Sequence, residues 1–135
     1  EESFNSHYLF EQTRKRSASI KSLIMNSHIV VGVGNIYACE SLFLAGFNPK
    51  RKAGSLSPAR CEKLVSAIKQ VLAQSITQGG TTLRDFIREN GEPGYFAQRL
   101  FVYGKTGEPC ARCGSSIKQI KQQQRSTFYC TQCQR

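Results

Sequence analysis

Apolar positions recur at helical spacing through most of the chain and alternate at strand spacing only near its end. Tyr8, Leu9 and Phe10 form the apolar side of a first helix, capped by Asn5 or Ser6 and running to about Arg16. Ile20, Leu23 and Ile24 share one face of a second, from Ser17 or Ser19 to Met25, with Lys21 beside them. Ile36, Cys39, Leu42 and Phe43 mark a third, which stops at Gly46 with Pro49 beyond. The longest helix opens with Ser57 as cap and Pro58 in first position. Cys61, Leu64, Val65, Ile68, Val71, Leu72 and Ile76 then recur at three- and four-residue steps until Gly79 and Gly80 end it. From Gly79 to Gly94 the chain reads as a loop, long for a compact domain and so a functional candidate. Phe96 to Tyr103 is predicted as a strand. Ile117–Lys121 and Thr127–Tyr129 alternate apolar and polar and are broken near Gln122–Arg125, which predicts a hairpin. The expected fold is mainly α, with a helical unit over residues 1–100 and a small hairpin unit over 101–135.

That hairpin is bracketed by cysteines. Cys110 and Cys113 form one Cys-x-x-Cys pair, Cys130 and Cys133 a second, with sixteen residues between the pairs. Thiolates at i and i+3 fit a tight turn that aims both sulfurs at one point, and two such turns close a tetrahedral S4 site around one structural Zn²⁺. Two disulfides would need an exported chain, and a redox pair comes with a βαβ context. Neither context is visible, and the first residues carry no charged–apolar–small leader pattern, so the expected compartment is the cytoplasm. Cys39 and Cys61 fall on helical faces without partners at ligand spacing and read as small core residues. His7 and His28 are assigned to the surface.

Charge changes the picture from fold to partner. The 135 residues carry a formal net charge of +10. Four zinc thiolates and one Zn²⁺ remove two charges and leave about +8. From Lys105 to Arg135 the bases are Lys105, Arg112, Lys118, Lys121, Arg125 and Arg135, against Glu108 alone. A metal-stapled hairpin with that bias suits a polyanion, and nucleic acid before others. No stretch approaches the length of apolar chain that spans a membrane.

Two further features fit an anion. Gly32 and Gly34 mark a tight path into the third helix, which turns the free N–H groups of a helix start outward with Asn35 beside them. Arg14-Lys15-Arg16 stands at the end of the first helix, where it suits either the helix dipole or phosphate. Gly32-x-Gly34 is not a dinucleotide fingerprint, because Tyr37 stands where the third glycine belongs.

Three blocks taken together carry a resemblance. Val30-Val31-Gly32-Val33-Gly34-Asn35-Ile36-Tyr37-Ala38-Cys39-Glu40-Ser41-Leu42-Phe43 resembles the helix–two-turn–helix signature of the formamidopyrimidine-DNA glycosylases. Gln78-Gly79-Gly80-Thr81-Thr82-Leu83-Arg84-Asp85-Phe86, with Gly94-Tyr95-Phe96-Ala97, resembles that family's lesion-binding loop. The four cysteines, with Gln124-Arg125-Ser126-Thr127-Phe128-Tyr129 between them, are similar to its zinc finger. The resemblance implies a bifunctional glycosylase/AP lyase that excises oxidised purines from double-stranded DNA. It implies DNA contacts at Asn35, Arg125 and Lys21, to which the residue pattern itself adds Lys15, Arg16 and Gly34, and it implies a loop of Thr81, Thr82, Leu83, Arg84, Asp85 and Phe86 closing over a flipped base. It gives Arg125 a second role, as proton donor in the final δ-elimination. The family's nucleophile, an N-terminal proline on a separate β-rich domain, has no counterpart here, since Pro49, Pro58, Pro93 and Pro109 are all internal. The chain is therefore expected to be the C-terminal, DNA-binding half, a monomer that binds but does not cleave without that domain. The alternatives are a fragment of the sister endonuclease VIII branch, which the loop blocks disfavour, and a stand-alone zinc-ribbon nucleic-acid module.

Overall fold

The computed structural model describes residues 4–14, 16–30, 32–77 and 100–135. The helices are α1 (Ser6–Thr13), α2 (Ile20–Met25), α3 (Asn35–Ala45) and α4 (Pro58–Thr77), with a 3-10 turn at Ala53–Ser55; the strands are β1 (Lys118–Gln122) and β2 (Arg125–Tyr129). Local chemistry sets their ends. Asn5 Oδ1 accepts the Tyr8 N–H at 2.9 Å, Ser19 Oγ the Ser22 N–H at 3.2 Å, and Ser57 Oγ the Arg60 N–H at 3.2 Å. At the other end of α3, Gly46 adopts φ 85°, and its N–H reaches the carbonyls of Leu42 and Phe43. α1 stops at Thr13, three residues before the expected end, because Arg14 turns extended.

Two apolar clusters form among the described residues. The larger packs Leu9, Ile20, Ile24, Leu42, Leu56, Leu64 and Ile68 between the four helices and the 3-10 turn. The smaller joins Cys39 and Phe43 of α3 to Val102, Cys110, Ile117, Phe128 and Cys130. α3 is thus a wall common to both, and its residues from Tyr37 to Phe43 are all buried. Cys39 and Cys61 are buried as expected, and His7 and His28 are exposed.

β1 and β2 pair antiparallel, with Lys118 opposite Tyr129 and Gln122 opposite Arg125. The two residues between them, Gln123 and Gln124, take φ 50° and 67°. Such a pair of left-handed residues matches the strand twist but strains any side chain other than glycine, at about 1 kcal/mol each. The Ser22 hydroxyl donates to Gln123 Oε1 at 2.9 Å and ties the turn to α2.

The strand expected from Phe96 to Tyr103 is not present in its described part, residues 100–103. The N–H groups of Phe101, Val102 and Tyr103 donate instead to the carboxylate of Glu40, at 2.7, 2.9 and 2.9 Å. One side chain has taken the place of a neighbouring strand. Lys15, the loop Thr81–Phe86 and the rest of Gly79–Gly94 lie outside the described residues.

Candidate nucleic-acid interface and metal centre

The beginning of α3 meets the hairpin at a polar seam. Lys21, only 2% exposed, donates from Nζ to Asn35 Oδ1 at 2.5 Å and to Thr127 Oγ1 at 2.6 Å. Asn35 Nδ2 in turn donates to the Ser126 carbonyl at 2.9 Å. The amide of Asn35 is therefore fixed at both ends, its oxygen by an ammonium and its nitrogen by the backbone. Burial pushes the Lys21 ammonium below its ordinary pKa, and the Arg125 charge nearby pushes the same way, against an opposing influence from Cys39.

Beside this seam an open cleft of about 220 Å³ is lined by Lys21, Ser22, Met25, Asn26, Gln122, Gln123 and Arg125. Arg125 is exposed, and its guanidinium has no hydrogen bond or ion pair among the described residues. Gly34 caps α3 without a side chain, at φ −88°. A Cβ there would meet nothing within 4 Å, so neither backbone angle nor packing requires glycine. What the missing side chain leaves is open access to the helix start, where N–H groups and the dipole favour an anion. Three elements thus bring Lys21, Gly34, Asn35 and Arg125 together.

Other predicted cations serve the fold. Arg16 turns back on α1, donating to the Gln12 carbonyl at 2.5 Å. Arg14 lies over the Phe10 ring at 4.0 Å and donates to the Leu56 carbonyl at 2.6 Å. Arg112, between the first two cysteines, donates to the carbonyls of Phe43 and Leu44 at 3.1 and 3.4 Å and so caps the end of α3.

The four cysteines converge. Their sulfurs all lie within 4.8 Å of one another, with Cys110–Cys133 at 3.8 Å and Cys113–Cys130 at 3.4 Å. Tetrahedral Zn–S bonds of about 2.3 Å place sulfurs about 3.8 Å apart, so the set fits one structural Zn²⁺. The N–H of Arg112 approaches the Cys110 sulfur at 3.4 Å, and that of Cys133 the Cys130 sulfur at 3.5 Å. Each knuckle supplies donors to a thiolate. Ser115 holds the Cys113 thiol down to about 6, chiefly through its hydroxyl and then its N–H, while burial pushes the Cys130 and Cys133 thiols up.

The comparisons with known proteins decide the family. The model of the formamidopyrimidine-DNA glycosylase H2TH domain matches residues 1–87, well over half of the chain. The chain belongs to the formamidopyrimidine-DNA glycosylase family. A second model, the zinc finger found in FPG and IleRS, matches residues 107–135. The chain is 61% identical over 132 residues to the formamidopyrimidine-DNA glycosylase of Thioalkalivibrio sulfidiphilus, covering 98% of this chain and 49% of the relative. It is similar to the crystal structure of MutM (Fpg) from Thermus thermophilus, with a TM-score of 0.88, 35% identity, and coverage of 99% of this chain and 51% of that one. It is also similar to Lactococcus lactis Fpg in complex with DNA containing an abasic site, with a TM-score of 0.87, 36% identity, and coverage of 97% and 48%. The chain thus spans about half the length of the relatives it matches. Among the described residues, no helix is long and apolar enough to cross a membrane.

Two members of this polar site escape a reading of the sequence. Thr127 holds Lys21, and Glu40 anchors residues 101–103. Glu40 did carry a signal. Its helical neighbours at three and four residues either side are Ile36, Tyr37, Phe43 and Leu44, all apolar. A lone acid so placed must be buried, and a buried carboxylate needs donors.

Proposed function

We propose that this chain is the DNA-gripping half of a formamidopyrimidine-DNA glycosylase. In this reading the whole enzyme excises oxidised purines, 8-oxoguanine and formamidopyrimidines, from double-stranded DNA in base excision repair and then cuts the abasic strand. The Lys21–Asn35–Ser126 seam beside Arg125, whose guanidinium has no partner among the described residues, is the observation that carries it. Asn35 and the open start of α3 at Gly34 take one backbone phosphate, and Arg125 takes another. Lys21 lies beneath and supplies charge and alignment to Asn35 rather than direct contact. Lys15 and Arg16 add contacts at the edge. The loop Thr81, Thr82, Leu83, Arg84, Asp85 and Phe86 covers the flipped base. Arg125 also supplies the proton in δ-elimination, a lesser role beside its phosphate contact. Residues 1–100 and 101–135 act as the two DNA-binding units of one monomer, in the cytoplasm.

Arg125→Ala is expected to weaken binding to every duplex sequence alike and to lower the slope of log K against log salt by about one. An unchanged slope removes the phosphate role. For the chemistry, the chain mixed with abasic DNA and borohydride is expected to give no covalent band while retaining duplex binding in a native gel. A trapped band would mean that these 135 residues hold their own amine nucleophile.

A further inference from the structure

Arg125, Thr127 and Tyr129 alternate along β2 and so share one face of the hairpin. The first borders the anion cleft, and the second holds Lys21. The third has its own cations. Lys50 Nζ lies 5.8 Å from the centroid of the Tyr129 ring. Lys118 is the direct cross-strand partner of Tyr129, so its side chain leaves the hairpin on the same face. Both lysines are exposed, and neither has an ion-pair partner among the described residues.

No acid stands nearby in sequence to neutralise them. Residues 41–61 contain no Asp or Glu, and neither do residues 109–135. These two acid-free segments are locked side by side. Gln122 Nε2 donates to the Pro49 carbonyl at 3.3 Å, Gln134 Nε2 to the Phe47 carbonyl at 2.9 Å, and the Arg135 N–H to the Gly46 carbonyl at 3.0 Å. Arg51 is spent in the same seam, donating to Ser55 Oγ and the Arg135 carbonyl. Like charges held together on a rigid face repel unless something outside the chain neutralises them.

We propose that Lys50 and Lys118, both beside Tyr129, form a second phosphate station on the DNA backbone, separate from the Asn35–Arg125 grip. Four residues of strand place it about 13 Å from Arg125, the axial length of about four nucleotides of one DNA strand. The station extends the footprint away from the lesion and adds affinity without reading sequence. This rests on the DNA-binding reading above.

The test is the salt dependence of binding to an undamaged duplex of about 24 base pairs. The Lys50→Gln/Lys118→Gln double variant is expected to lower the slope by about two, and Lys50→Arg/Lys118→Arg to leave it unchanged. Adding Arg125→Ala to the double Gln variant is expected to lower the slope by about one more, because distant contacts add. A double Gln variant with the wild-type slope overturns the station while leaving the DNA grip intact. A triple variant no lower than the double overturns its separateness, since the lysines would then share the Arg125 phosphate. A wild-type chain that binds no duplex overturns both readings at once.

Discussion

Removing zinc is expected to unfold the chain beyond about Tyr103 and to cost at least about a hundredfold in DNA affinity at low salt. The apolar contribution of the finger is small. Val102, Ile117, Phe128 and Tyr129 are its main buried hydrophobes outside the cysteines, each worth about 1.5–3 kcal/mol. Ordering some 30 residues costs about 1.5 kcal/mol apiece, so that cluster cannot hold them alone. A structural zinc contributes on the order of 10 kcal/mol and more. The helices keep their own core around Leu9, Leu42, Leu64 and Ile68, so far-UV circular dichroism should retain most of its helical signal. Cys130→Ser should reproduce the effect of a chelator. Hydrogen exchange should show the loss in β1, β2 and the Cys39–Phe43 side of α3, with α1 and α4 protected. Melting of all the helices together would mean that the wall common to the two cores makes one cooperative unit. Undiminished DNA binding by the metal-free chain would remove the finger from the interface.

Glu40→Ala should be the most damaging single substitution away from the metal. It strips three N–H groups of their acceptor, one of them on the fully buried Val102. Orphaned buried donors cost about 1–3 kcal/mol each, so a loss of about 3–5 kcal/mol is expected in urea unfolding. Glu40→Gln keeps one acceptor oxygen and should cost less, about 1–2 kcal/mol. The two forms also differ in pH response. Burial pushes the Glu40 carboxyl up from its ordinary 4.5, while the N–H groups of Phe101, Tyr103 and Val102 and the charge of Lys105 pull it back part of the way. A carboxyl raised in the folded state binds its proton more tightly there than in the unfolded chain. Its stabilising contribution is complete below 4.5 and falls away as pH rises through the elevated value. The stability difference between wild type and Glu40→Gln should therefore shift against wild type as pH rises through that window. A difference that is flat with pH would mean the three donors fully offset the burial.

Much of this architecture is written locally and can be read locally. Asn5, Ser19 and Ser57 cap their helices, Gly46 stops α3, and the spacing of Cys110, Cys113, Cys130 and Cys133 encloses a hairpin. Residues whose partners are far away in the chain do not announce themselves. Lys21 borders an apolar stripe as any surface lysine does, and its burial is made tolerable by Asn35 together with Thr127, 106 residues on. Arg112 reads as one more basic residue of the finger until the exposed carbonyls at the end of α3 are brought against it. The stretch at 100–103 has strand-like composition, but its backbone donors are taken by Glu40 before any strand can claim them. Gln123 and Gln124 carry none of the usual turn chemistry, and their left-handed angles follow from the pairing of the strands on either side.

The 106-residue separation between Lys21 and Thr127 also sets an order of events during synthesis. Helices α1 to α4 can bury their core while the finger is still inside the ribosome, since domains consolidate from the N-terminal end as the chain emerges. Lys21 and Asn35 then wait, partly solvated, for a hairpin that cannot close until Cys133 has been made and a metal ion captured. Metal capture therefore follows formation of the helical core, and until it happens the Lys21–Asn35 seam lacks its hairpin half.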